Sequence, residues 1–221
     1  MTNFGKKNTT CSKCKKKCQV EVLVSTNSFG SPDLDCRPPP MERNTMEAWI
    51  EHCPNCHYCA KDISQENEVS NEFLQSNEYL DLFKGNSSQY SSLAKEFLAA
   101  ALCMKSINCM KDAAIFYHHA SWICDDNNGQ DSKESKECRQ KSLELFQIIH
   151  NQSERVHNDD FYDESIMCDL YRRNEQYDEC RQLCERTLTK NPSGIFSQLL
   201  QYQIKLCEQK DHDVHEICDI E

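Results

Sequence analysis

Two cysteine pairs share one spacing, Cys11-x2-Cys14 and Cys53-x2-Cys56. Two residues between thiolates let a single tight turn aim both sulfurs at one ion. Two such turns supply four ligands, the number that closes a tetrahedral structural zinc site. The primary expectation is therefore zinc held by Cys11, Cys14, Cys53 and Cys56. Four closed thiolate ligands leave no position for a substrate, so the metal is expected to be structural and the chain is not expected to be an enzyme. An iron–sulfur cluster also takes four thiolates and is one alternative. A redox CxxC is another, but that motif usually opens a helix in a βαβ context, and none is visible here.

Further ligand types lie close by: Cys18, Cys36, Cys59, His52 and His57. Cys18 and Cys59 each follow a pair and have the chemistry to exchange into the site or to form a second one. Small packed thiols or surface residues account for them more simply. His118 and His119 are adjacent, so they point to different sides of a helix and make a poor metal pair. No Ser/His/Asp set, phosphate loop or HExxH motif occurs.

The flanks indicate how the pairs are held. Val20, Val22 and Val24 alternate after the first pair, as on one face of a strand, and Trp49-Ile50-Glu51-His52 leads into the second. This pattern predicts strand–knuckle units as in a zinc ribbon. The residues directly after the pairs are Lys15 and His57, where glycine would relieve a positive φ. A polar, turn-rich loop, Ser25 to Arg43, separates the two halves of the site. Its Asp33, Asp35, Arg37 and Arg43 are expected to pair with one another and hold the loop; ligand binding by the same residues is the alternative.

The run TCSKC, STNSFGSPDLDCRPP and WIEHCPNCHYCA resembles the domain of unknown function (DUF) 2225 family. The matching residues are Cys11, Cys14, the Ser-rich loop with Asp33 and Asp35, Trp49, Cys53-Pro54, Cys56, Tyr58 and Ala60; His57 stands where that family has glycine. The resemblance implies a zinc-ribbon-like head joined to a tetratricopeptide-like helical tail. It implies nothing about an activity.

The rest of the chain reads as helix. Leu93, Phe97, Ala100, Ala101 and Met104 make one apolar face, and Ala113, Phe116, Tyr117, Ala120 and Ile123 another. Asp125 to Glu137 has no aliphatic or aromatic residue and is expected to be an exposed loop. Further helices are expected around Leu143–Ile149, Phe161–Arg173, Tyr177–Leu188 and Phe196–Cys207, with a stop at Asn191-Pro192-Ser193-Gly194. From Tyr171 to Pro192 the tetratricopeptide pattern fits, with Cys180 at the small crossing position and Cys184 and Thr187 at the next core positions. Cys180 and Cys184 are spaced as a metal pair or as core thiols, and the core reading is preferred; Cys103, Cys124, Cys168 and Cys207 are read as small hydrophobes. The expected division is residues 1–62 as a zinc-ribbon-like module, 63–90 as a connecting segment with some helix, and 91–221 as a tetratricopeptide-like helical-hairpin domain.

Composition limits the rest. The chain has 221 residues, 16 of them cysteine, a formal net charge of −11 and a mean hydropathy of −0.77. Its longest apolar run, Phe97 to Cys103, is far short of the ~20 residues of a membrane span. No apolar stretch follows the first ten residues, so no secretory signal is expected, and a reducing, cytoplasmic setting would keep the cysteines as thiols or metal ligands rather than disulfides. Residues 1–62 carry nine Lys/Arg against seven Asp/Glu, and residues 63–221 sixteen against twenty-nine. That acidic tail would repel nucleic acid. Lys13, Lys15, Lys16 and Lys17 form the one basic patch and are read as a solvated loop. An adaptor for a protein or peptide at the helical tail is the expected function; a nucleic-acid-associated zinc ribbon and a metal- or redox-handling protein are the alternatives.

Overall fold

The computed structural model describes residues 2–84 and 89–220; residues 85–88 of the expected connecting segment lie outside these. The first 62 residues build two small antiparallel sheets. β1 (Asn3–Thr10) and β2 (Lys17–Ser25) pair with Thr10 opposite Lys17, which places Cys11 and Cys14 in their turn. β3 (Glu51–His52) and β4 (Cys59–Ala60) bracket Cys53 and Cys56 in the same way. Val20 is buried and Val22 half-buried, while Val24 is exposed. The valine face is thus covered only at the end near the cysteines.

Three one-turn helices follow the strands or lie between them: α1 (Pro40–Arg43), α2 (Asn71–Leu74) and α3 (Asn77–Leu80). Ser70 and Ser76 cap α2 and α3 by accepting from the backbone N–H of Phe73 and Tyr79. Six longer helices follow: α4 (Ser92–Ser106), α5 (Met110–Asn128), α6 (Lys133–Asn151), α7 (Tyr162–Arg173), α8 (Tyr177–Leu188) and α9 (Ile195–Glu208), with 3-10 turns at Met46–Ala48 and Ile217–Asp219. Each packs on the next in sequence, and α7 also packs on α9. On α4, Ala94, Ala99, Ala100 and Ala101 are fully buried, and their small side chains let neighbouring backbone come close. Ser91 caps α4 and Ser132 caps α6.

One sequence expectation needs correction. Asp125 to Glu137 is an exposed loop only at its centre, residues 129–132: α5 runs on to Asn128 and α6 begins at Lys133. The Asp125 side chain is only 6% exposed, its carboxylate accepting from Arg139 at 2.7 Å and from Arg173 at 2.6 Å. Both guanidinium groups come from other helices, so a polar run was compatible with burial once its charges were paired.

The apolar core is continuous across the chain. One cluster includes Cys11, Ile50, Tyr58 and Ile63 from the strand region, Phe97 from α4, Phe116 from α5, Phe146 from α6 and Leu170 from α7. The loop between the cysteine pairs adds polar ties. Arg43 bonds Asp33 at 2.7 Å within the loop, as expected. Asp35 accepts from the Arg37 backbone N–H at 3.2 Å within the loop, and both side chains also reach the helices: Asp35 meets His118, Trp122 and Arg173, and Arg37 pairs with Asp126. The C-terminal segment clasps the same loop, with Leu34 N–H donating to His215 O and Ile217 N–H to Pro32 O. Leu34 packs on Leu199 and Leu206 of α9 beneath this clasp.

Candidate metal centre

Cys11, Cys14, Cys53 and Cys56 converge, with their sulfurs all within 4.8 Å of one another. Cys11 Sγ lies 3.7 Å from Cys56 Sγ, and Cys14 Sγ 3.6 Å from Cys53 Sγ. Four sulfurs about 2.3 Å from a central zinc would be about 3.8 Å apart along a tetrahedral edge. The donor set and its spacing therefore fit a metal such as zinc.

The two turns are built alike. Lys15 N–H donates to Cys11 O at 2.9 Å, and His57 N–H donates to Cys53 O at 2.9 Å. Cys11 N–H and Cys53 N–H close the far side of each turn on Lys16 O and Tyr58 O. Lys15 and His57 both take positive φ, 60° and 61°, at the positions where the sequence pointed to this strain. A side chain in the left-handed region costs about 1 kcal/mol or more, and the turn imposes it twice.

The turns also direct backbone N–H groups at sulfur. Those of Lys13 and Cys14 serve Cys11, those of Asn55 and Cys56 serve Cys53, and that of Tyr58 serves Cys56. Burial pushes the Cys11 and Cys56 thiols up. At Cys53 burial acts the same way but the N–H groups and neighbouring thiols outweigh it, pulling the thiol down to about 7. A bound cation would hold the whole set as thiolates.

The surplus residues do not join this group. Cys59 is fully buried, its thiol directed at His57 O at 3.3 Å, and burial pushes it well above the usual thiol range. Cys36 is pushed up to about 12, mainly by burial, and lies against Tyr162 of α7. Burial, with the charges of Cys53 and Cys11, also raises Cys18. His52 and His57 stack on each other and on Phe83, with His52 Nδ1 3.4 Å from Glu96.

Tyr58 is fully buried and accepts from Asn67, so its ring is not available for stacking on a base. Lys13 sits over that ring and donates to Asn67 O, and Lys15 pairs with Glu66 at 2.5 Å. Lys16 and Lys17 remain exposed.

All sixteen cysteines are free thiols. A second thiol group, not read from the sequence as a group, gathers Cys168, Cys180 and Cys184 within the same 4.8 Å limit. The i, i+4 spacing of Cys180 and Cys184 was visible, but the partner on the facing helix depends on how α7 packs. No family model matches the chain, and neither a curated protein nor a solved structure does.

Proposed function

We propose that the chain is a non-catalytic interaction adaptor, with a zinc-ribbon-like head held by structural zinc at Cys11, Cys14, Cys53 and Cys56 and a tetratricopeptide-like helical array that receives a protein or peptide. The carrying observation is the convergence of four thiols into a closed set beside a series of packed helices. Four thiolates that occupy every position around the metal give it a role in folding rather than in turnover. The resemblance to the DUF2225 family fits the same architecture.

A groove of about 450 Å³ bounded by α6, α7 and α8 is the proposed receiving surface. Gln147, His150, Tyr171, Gln182 and Arg186 line it, with the Glu179 carboxylate on the same face of α8. Side-chain amides there suit the backbone of an extended peptide, and the guanidinium suits a carboxylate. Display selection of peptides on the immobilised full chain, followed by fluorescence polarisation, tests this. Acidic peptides should be enriched, and their affinity should fall at least tenfold in Arg186→Glu and Gln182→Ala. Selection without sequence enrichment, or affinity indifferent to both substitutions, defeats the adaptor reading at this groove.

A further inference from the structure

The second thiol group lies in the helical part of the chain. Cys168 comes from α7 and Cys180 and Cys184 from α8, and all three are 0% exposed. Cys168 Sγ and Cys184 Sγ are 3.2 Å apart. Cys207 of α9, also buried, reaches the group through a hydrogen bond with Cys180. Two helices thus deliver three sulfurs to one place, and α9 brings Cys207 against Cys180 just outside that group.

Packing accounts for each cysteine singly, since a helix crossing needs small residues. It does not account for their meeting. Alanine meets the same need on α4, where Ala94, Ala99, Ala100 and Ala101 are fully buried. Cys180 and Cys184 share a face one turn apart, and Cys168 meets them from the facing helix. Cys184 Sγ donates to Cys168 Sγ at 3.2 Å, closer than the about 3.8 Å edge of a four-sulfur zinc site, so an ion entering the group would spread these two sulfurs by about 0.6 Å. Thiols are weak hydrogen-bond donors, so four together gain little from each other in a dry interior. A thiophilic cation would bind them all.

We propose that Cys168, Cys180 and Cys184, with Cys207 as a fourth donor in reach, form a second metal site for a soft closed-shell cation, copper(I) or zinc(II). The donors are all sulfur, which selects such ions over magnesium, calcium or manganese. Three sulfurs suit trigonal copper(I), and the addition of Cys207 makes the four-sulfur set that zinc takes. The site is closed to solvent, so its ion ties α7, α8 and α9 together rather than acting on a substrate. It is separate from the Cys11, Cys14, Cys53 and Cys56 set and does not depend on the adaptor reading.

The test is native mass spectrometry of the full chain, refolded under reductant with excess zinc or, separately, with copper(I). Two ions per wild-type chain are expected with at least one of the metals. One ion should remain in Cys180→Ala/Cys184→Ala, and one in Cys53→Ala/Cys56→Ala. Alanine is small enough for these crossing positions, and the wild-type count decides the matter if a variant does not fold. Zinc at both sites assigns Cys207 as the fourth ligand, and a second ion seen with copper(I) alone assigns the three-sulfur site. A wild-type chain that takes up no ion, or a single ion that Cys180→Ala/Cys184→Ala retains, overturns the proposal. So does a refolded chain two hydrogens lighter through a Cys168–Cys184 disulfide.

Discussion

The carboxylate of Asp35, in the loop between the two cysteine pairs, accepts a 2.6 Å hydrogen bond from the indole nitrogen of Trp122 on α5. The same oxygen meets His118 Nε2 at 3.1 Å and the Arg173 guanidinium at 3.6 Å. Burial works against the charge, but His118, Arg173 and Trp122 together hold the carboxyl well below the usual range. Asp35→Ala would leave a buried guanidinium and an indole N–H without this partner. The expected cost is about 3–5 kcal/mol. Asp35→Asn, which keeps an acceptor but loses the charge, should cost less. Urea denaturation followed by tryptophan fluorescence reads both, since the two tryptophans, Trp49 and Trp122, each lie against His119. Equal stability of wild type and Asp35→Ala would show that this tie contributes nothing.

Loss of the metal proposed at Cys11, Cys14, Cys53 and Cys56 should be felt beyond the strand region. The core runs without a break from Cys11 to the helices, and Asp35 and Arg37 tie the intervening loop to α5. Cys56→Ser should lower the bound zinc by one per chain. It should also lower the helical melting midpoint, by about 10 °C for a loss of about 4 kcal/mol. Circular dichroism at a helix wavelength, with and without a strong chelator, measures it. An unchanged midpoint would mean that the helices are indifferent to the centre.

His119 gives a pH dependence of definite sign. Its Nδ1 is buried without a hydrogen-bond partner among the described residues, and burial pushes the imidazole down to about 3. Unfolded, the ring titrates near 6.5, so between about pH 6.5 and 3 the unfolded chain binds the extra proton. Stability should therefore fall as pH drops below about 6.5, by about 1–2 kcal/mol at pH 5. His119→Phe, which keeps an aromatic ring against Trp49, Phe97 and Trp122, should flatten this part of the profile. Denaturation midpoints at pH 7, 6 and 5 decide it; parallel profiles would remove His119 as the cause.

Asp163 should act in the same direction at lower pH. Its two oxygens accept from Val156 N–H at 2.7 Å, His157 N–H at 3.0 Å, His157 Nδ1 at 2.7 Å and His150 Nε2 at 3.1 Å. Burial raises the carboxyl, but these donors outweigh it and hold it well below the usual range. The stability it adds is fully present above about pH 4 and is lost as pH falls through its lowered folded value. Asp163→Asn turns one acceptor oxygen into a donor and should cost about 2 kcal/mol at pH 7. The gap between wild type and variant should narrow from pH 5 to pH 3. A constant gap would mean that charge is not the contributing factor.

The sequence alone determined what local chemistry can specify. The two CxxC spacings each dictate a tight turn. The strain at Lys15 and His57 was visible as two side chains where the turn favours glycine, and both take the left-handed φ. Periodic apolar faces placed α4, α5 and α7 to α9 closely, because a helix buries one stripe whatever its partner is. Asp125 escaped that reading because its burial depends on Arg139 and Arg173, which lie 14 and 48 residues away. Asp35 and Arg37 were legible as loop residues able to pair, but their partners Trp122 and Asp126 are fixed only by how the loop lies on α5. The meeting of Cys168 with Cys180 and Cys184 is likewise a product of packing: the spacing on α8 sets which face the two thiols share, and only the seating of α7 against that face brings the third sulfur to them.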